Sequence, residues 1–184
     1  MKLLLITLTI LQSLFSTLEQ KTLQSDFTIS IVQEQSQPIT YTGTLIMRDK
    51  KFALELFGME AAYDGQTLYM YSKDAEELTL STPSQEELVQ TNPFLYAQAL
   101  VPMCLYEEKA IGDKTQITLI PNDQSLGINK FVLRVITNTL LPISAEIHES
   151  DDKVTTLRLN NAEYKSECPS FSIDKPEAFI NDLR

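Results

Sequence analysis

From Ser25 onward, apolar residues recur at every second position in short runs. Phe27, Ile29 and Ile31 alternate with Thr28 and Ser30, Phe52, Leu54 and Leu56 with Ala53 and Glu55, and Ile117 and Leu119 with Thr118. A period of two sends alternate side chains to opposite faces of a strand, so each run predicts a half-buried β-strand. The same spacing returns in Phe131, Leu133 and Val135, in Ile143, Ala145 and Ile147, and in Leu157 and Leu159. One face of a large sheet is therefore apolar. Asp64-Gly65, between Met59–Tyr63 and Thr67–Tyr71, predicts a hairpin through a two-residue primed turn. Asn138 to Pro142 and Glu149 to Lys153 separate the later strands, and the expected order is a meander.

Helical signals are few. Thr82-Pro83-Ser84-Gln85-Glu86-Glu87-Leu88 offers a cap, an early proline and early acids, and predicts a short helix. A second helix begins at Asn92-Pro93, carries Phe94, Leu95, Ala97, Leu100 and Val101, and ends at Pro102. A third face is drawn by Leu4, Leu8, Leu11, Phe15 and Leu18 near the N-terminus. These three short elements must help to cover the apolar sheet face, because large contiguous apolar patches are seldom left exposed. Periodicity allows two ways of doing so and leans to the first: a two-layer sandwich whose face is ordinary core, or a coiled sheet whose interior is a hydrophobic cavity.

The N-terminal stretch carries a second reading. Lys2 followed by the run Leu3 to Leu11 has the charge and length of an export leader and is too short to span a bilayer. On this reading residues 1–16 are a leader that overlaps the first helix, and 17–184 form a single domain with no linker.

Composition narrows the function. With 25 acidic against 15 basic residues the formal net charge is −10, and no basic stripe is present to track phosphates, so nucleic acid is not expected as a partner. An anionic membrane surface would repel the chain. His148 is the one histidine and has no neighbouring nucleophile, and Glu76-Glu77, Glu86-Glu87 and Glu107-Glu108 are adjacent pairs that point to different sides of their element. No phosphate loop or glycine-rich cofactor turn occurs. The expectation is a protein that is not an enzyme and needs neither metal nor cofactor. Cys104 and Cys168 lie far apart in sequence, which leaves one disulfide and two separate thiols equally open.

Several segments in order resemble a known family. Gly43 to Phe52, then Tyr63-Asp64-Gly65 with the aromatic strand to Tyr71, then Glu76 to Leu80 and Asn92 to Ala97, are similar to the outer-membrane lipoprotein carrier family, LolA. Asp26-Phe27 resembles its first strand and Phe171 to Pro176 its closing strand, so the likeness runs from Leu14 to Ile180; Tyr69 stands where the family often has Trp. The resemblance implies a mainly β fold with a few helices, its curved antiparallel sheet forming an unclosed half barrel with a helical lid. It implies a periplasmic, monomeric carrier that takes acylated lipoproteins from an inner-membrane release transporter and passes them to an outer-membrane acceptor. Carried over by position, the lid-helix contacts fall on Phe94, Leu95, Tyr96 and Ala97 and the N-terminal helix contact on Leu14, Phe15 or Leu18, with plain core packing an equal alternative; the apolar residues Phe27, Ile29, Phe52, Leu54, Leu56 and Leu100 are the further candidates for the cavity and lid. The family's lid-closing arginine falls near Arg48, with the chain one residue shorter before Phe52. A sensor or interaction module of the same fold, binding a lipid or a partner chain, is the alternative.

Overall fold

The computed structural model describes residues 9–33, 36–84, 87–88 and 91–184. Among them the chain forms helix α1 (Ile10–Gln20), strands β1 (Thr22–Gln33), β2 (Ile39–Arg48), β3 (Lys51–Leu56), β4 (Met59–Tyr63), β5 (Leu68–Ser72) and β6 (Glu77–Ser81), and helix α2 (Pro93–Leu100). Strands β7 (Cys104–Ile111), β8 (Lys114–Pro121), β9 (Ile128–Ile136), β10 (Leu141–Glu149), β11 (Lys153–Lys165) and β12 (Phe179–Asp182) complete it.

The strands make a single open sheet in the order β12-β6-β5-β4-β3-β2-β1-β11-β10-β9-β8-β7. Two meanders, β1 to β6 and β7 to β11, are thus joined through one long antiparallel seam between β1 and β11, from Thr22↔Lys165 to Gln33↔Lys153. Every neighbouring pair is antiparallel except β12, which lies parallel to β6. The sheet is not closed, since β7 and β12 stand at its two ends. The half barrel implied by the resemblance is the architecture found, and the sandwich that periodicity favoured is not: both meanders belong to one sheet.

The ladder itself bends the sheet. Asn161 stands at a positive φ of 54° where β11 has one residue more than β1 between the pairs Gln24↔Glu163 and Asp26↔Asn160. Register also shifts at Ile143 of β10 and at Asn129 of β9. Such bulges increase local twist and curl. The shift at Ile143 breaks the simple alternation expected for its strand, with Ser144 and Ala145 both buried.

Helix α1 measures the curvature. Thr9 caps it by a reciprocal box, its hydroxyl accepting from the Gln12 N–H at 3.2 Å while the Gln12 side chain accepts from the Thr9 N–H at 3.1 Å. At its far end the carbonyl of Leu18 accepts from the N–H of Asp49, between β2 and β3, at 2.7 Å. At its near end the Leu11 N–H donates to Glu108 Oε1 of β7 at 3.3 Å. Six strand steps separate β2 from β7, roughly 29 Å at about 4.8 Å each. The helix between Leu11 and Leu18 rises only about 10 Å. A flat sheet cannot meet both ends of so short a helix, so the strands wrap round it. Leu11, Leu14 and Leu18 face inward and are buried, whereas Phe15, placed on the inner face by the sequence, is half-buried at its flank.

Two expectations are corrected in detail. The Asp64 turn is a four-residue loop, because β4 and β5 first pair at Tyr63↔Leu68. The Asp64 carboxylate accepts from the N–H groups of Gln66 and Thr67, both at 2.8 Å, and from the Tyr69 hydroxyl at 3.0 Å. Burial alone would raise this carboxyl, but the three hydrogen bonds together hold it below the usual aspartate range. The closing strand is Phe179–Asp182 and not the segment Phe171 to Pro176. That segment joins no ladder; Pro169 before it and Pro176 at its end each lack an N–H and interrupt pairing at its two ends. It crosses the convex face instead, with Phe171 buried, Lys175 Nζ 3.0 Å from Glu60 Oε1 and 4.8 Å from the centroid of the Tyr71 ring.

The segment before α2 starts two residues later than expected. Ser84 rather than Thr82 supplies the cap, in a box with Glu87, and the Leu88 N–H bonds the Ser84 carbonyl at 3.2 Å. Residues 85 and 86 of this predicted helix, residues 89 and 90 that follow it and residues 1–8 of the predicted leader lie outside the described residues. Cys104 and Cys168 are both free thiols, the first half-buried beside the core and the second exposed.

Candidate functional site

Because side chains alternate, the concave face can be read from the register. The row Leu23–Met47–Phe52–Tyr63–Leu68 runs across β1 to β5 and the row Phe27–Gly43–Leu56–Met59 across β1 to β4, with like sides facing together. Over the first row sit the two helices: Phe15 and Leu18 of α1 meet Phe94, Leu95 and Gln98 of α2 above Met47. This end is solid, with Leu14, Leu18, Leu23, Met47, Phe52, Phe94, Ala97 and Leu100 all buried.

Farther along the strands the helices no longer fill the hollow, and a cavity of about 520 Å³ opens between sheet and lid. Its walls are Phe27 and Ile29 of β1, Leu45 of β2, Phe52 and Leu54 of β3, Ala145 and Ile147 of β10 and Leu157 of β11. Asn92 and Tyr96 of the lid form its roof, and Leu126, Thr155 and Glu149 stand at its margin. That volume lies in the ordinary range of small-molecule pockets, and the lining is mostly apolar with a few polar groups. Burial first, then the charge of Glu149 and the sulfur of Cys104, push the Tyr96 phenol up, so it remains an uncharged hydroxyl. Glu149 is held by Lys153 at 2.7 Å.

Helix α2 is held there by its sequence. Asn92 caps it, Oδ1 accepting from the Phe94 and Leu95 N–H groups at 2.9 and 3.4 Å. Its middle is apolar on nearly all sides, which suits an element covered by both sheet and α1. Gly43 performs a different task beneath the cavity. A Cβ added there would lie 2.2 Å from the Glu55 carbonyl oxygen and 2.5 Å from Phe27 Cζ, so only glycine lets the Phe27 ring lie flat over β2. Gly43→Ala is expected to cost about 3 kcal/mol, since backbone cannot yield as a side chain can. Thermal unfolding followed by circular dichroism should show Tm lowered by roughly 6–12 °C. An unchanged Tm would contradict this close approach.

The sequence-derived residues divide into three groups. Phe27, Ile29, Phe52, Leu54 and Tyr96 line the cavity. Leu14, Phe15, Leu18, Phe94, Leu95, Ala97 and Leu100 make the solid end where the helices pack, and Leu56 borders a separate groove with Gly43 and Phe57. Arg48 does neither. Met47 takes the concave side, so Arg48 leaves on the convex face and donates to the carbonyl of Ser166 at 3.4 Å, away from the lid. Ala145, Ile147 and Leu157 were visible as alternating strand positions but not as cavity wall, because the seam that brings β10 and β11 beside β1 leaves no local trace; Leu45 was seen only within the segment that carries the resemblance. Asn92 was visible only as a helix start. His148 lies on the polar face, 3.3 Å from Glu146, whose carboxyl burial would raise but Arg134 and His148 together hold low.

Beyond the lid the concave face ends in exposed apolar side chains, among them Ile39, Met59, Met70 and, on β12, Phe179 at 71% exposure. Phe57 joins them from the β3–β4 turn, where it holds a positive φ of 55° and packs edge-on against Tyr41.

No family model and no curated protein matches the chain. Solved structures do. An uncharacterized conserved protein from Thermus thermophilus superposes with a TM-score of 0.62 at 11% identity, over 93% of this chain and 98% of that one. The LolA superfamily protein NE2245 from Nitrosomonas europaea gives 0.42 at 11% identity, covering 88% of this chain and 96% of the other. A putative outer membrane lipoprotein-sorting protein domain from Vibrio parahaemolyticus gives 0.45 at 11% identity, covering 87% and 92%. At such identity the likeness to the Thermus protein is one of fold, and the chain shares that fold over nearly its whole length.

Proposed function

We propose that this chain is an exported carrier that shelters the acyl chains of a lipoprotein beneath α2 and moves them through water between inner and outer membrane, with no chemistry done on them. The observation that carries the reading is the cavity of about 520 Å³, walled by strand side chains from both meanders and roofed by a short apolar helix. Each CH₂ removed from water contributes about 0.8 kcal/mol, so an acyl chain that has left a bilayer needs such a host. Release is then supplied by a partner, an acceptor at the outer membrane, and loading by a release transporter at the inner one. A ligand held this way is set free when the state that excludes it becomes favoured, which gives the lid its part.

A second reading, an interaction module that receives a partner chain, is favoured by the exposed apolar strip of Ile39, Phe57, Met59 and Phe179. The two are separated by native mass spectrometry after incubating the full chain with a triacylated lipoprotein. A soluble one-to-one complex that a deacylated form of the same lipoprotein does not give supports the carrier. Bare protein in both mixtures would overturn it, and equal binding of the deacylated form would favour the interaction module.

A further inference from the structure

The two edges of the sheet are unlike. β12 is four residues long and carries the ion pair of Asp182 with Arg184 at 2.6 Å. β7 presents eight residues, paired with β8 without a break from Cys104↔Pro121 to Ile111↔Lys114 and, among the described residues, with no strand on its other side. Proline and bulges, two devices that keep an edge from pairing, are missing from it. The third device, charge, is present as Glu107, Glu108 and Lys109, but in both signs.

Which backbone groups face outward follows from the turn. Gly112-Asp113 is a two-residue link with Gly112 at a φ of 63°, so Ile111 and Lys114 form a hydrogen-bonded pair. Counting back by twos, Lys109, Glu107 and Leu105 also turn their backbone groups to β8, and those of Tyr106, Glu108 and Ala110 point away from the sheet. Cys104 keeps this phase, its N–H donating to the carbonyl of Val101 instead of to β8. Glu108 reaches α1 on the concave side, so Leu105, Glu107, Lys109 and Ile111 share the convex face. Leu105 and Ile111 are 62% and 47% exposed there.

We infer that β7 is the docking edge for a second copy of this chain, the two β7 strands pairing antiparallel about a two-fold axis at Glu108. The residues select both the occupant and the register. With the axis at Glu108, the outward groups of Glu108 meet their own counterparts, and those of Tyr106 meet Ala110 of the second copy. On the convex face Leu105 then lies opposite Ile111 and Glu107 opposite Lys109, each contact made twice. These are non-hydrogen-bonded pairs, in which side chains approach most closely. Moving the axis to Glu107 sets Glu107 against itself and Leu105 against Lys109. Moving it to Lys109 sets Lys109 against itself and Glu107 against Ile111. Cross-strand apolar and opposite-charge pairs are stabilising and like charges are not, so the first register wins. Glu108 is spared a like charge on the concave side because the Tyr106 hydroxyl and the Leu11 N–H draw its carboxylate back to its own subunit. Such self-complementarity is what a two-fold interface requires. One eight-residue edge buries less than the roughly 1,200–2,000 Å² of a standard interface, so the dimer is weak. The cavity, walled by β1 to β3, β10 and β11, stays open in both copies.

Sedimentation velocity of the full chain, from micromolar to near-millimolar concentration, tests the pairing. Wild type should pass reversibly from monomer to dimer. Lys109→Glu and Glu107→Lys should each weaken the dimer about tenfold, since both symmetric ion pairs become like-charge pairs. The two reversals change the net charge of −10 in opposite senses, so general repulsion between acidic copies cannot produce both losses. The exchanged variant, Glu107→Lys with Lys109→Glu, should return the affinity to within about threefold of wild type. Ala110→Pro removes an outward N–H that β8 does not use, and should abolish the dimer while cooperative unfolding of the monomer persists. A chain that stays monomeric at the highest concentration overturns the inference. So does a dimer that ignores the single reversals, survives Ala110→Pro or is not restored by the exchange.

Discussion

A variant beginning at Thr17 is expected to unfold roughly 10–25 °C below the full chain. It loses Leu11 and Leu14, whose exposures are 3% and 0%, and deletion of a buried leucine costs about 2–5 kcal/mol. At about 2–4 °C per kcal/mol for a chain of this size, two such losses give a shift of that order. The effect is more than lost packing. The tie between the Leu11 N–H and Glu108 disappears with them, so β7 is no longer drawn toward β2 across the concave side. Differential scanning calorimetry of the two forms checks the shift. The outcome also bears on the leader: equal Tm values would fit a leader ending at residue 16, whereas a large drop places the residues from Thr9 onward in the working domain.

The second large effect concerns binding. Ile29→Glu should weaken capture of a fluorescent acyl probe by about a hundredfold, because an ionised carboxylate in the wall must be desolvated, or first protonated, before an alkyl chain can lie against it. Ile29 is half-buried on the open stretch of the cavity, so the empty protein keeps the new carboxylate in contact with water and folds. Thr28→Glu is the control. Alternation sends residue 28 to the convex face, and the same added charge one position away should leave probe affinity unchanged. The Ile29→Glu deficit should shrink as pH falls and the carboxyl protonates, while the control stays flat. Equal affinity of wild type and Ile29→Glu would mean that the probe binds elsewhere.

How much of this was legible in the sequence follows from how local each feature is. Strand positions were readable because a period of two repeats within six residues, and the faces of Phe27 and Ile29 or Phe52 and Leu54 came with it. Helix α2 announced itself through Asn92-Pro93 at one end and Pro102 at the other. The partnership of β1 with β11 could not be read, since Thr28 and Asn160, which touch at 3.2 Å, are 132 residues apart. With that seam hidden, half of the cavity wall was hidden too. Arg48 shows the cost of a one-residue offset: the resemblance placed a basic residue near the lid, and pleating put Met47 on that side instead. Phe171 to Pro176 was read as the closing strand from the resemblance alone, and the strand that closes the sheet is Phe179–Asp182, beyond Pro176.

The long seam also governs the order in which the chain can become structured. Strands β1 to β6 pair with their sequence neighbours and can form as soon as they are made, but the second edge of β1 waits for β11, which is nearly the last strand synthesised. Contacts of such sequence separation slow folding toward the millisecond-to-second range. During that interval an N-terminal half sheet displays an unpaired twelve-residue edge with Phe27, Ile29 and Ile31 beside it, which is a template for pairing with another chain. The nascent protein therefore needs guarding for the same reason that its proposed cargo does: apolar groups must cross water before they reach the place that covers them.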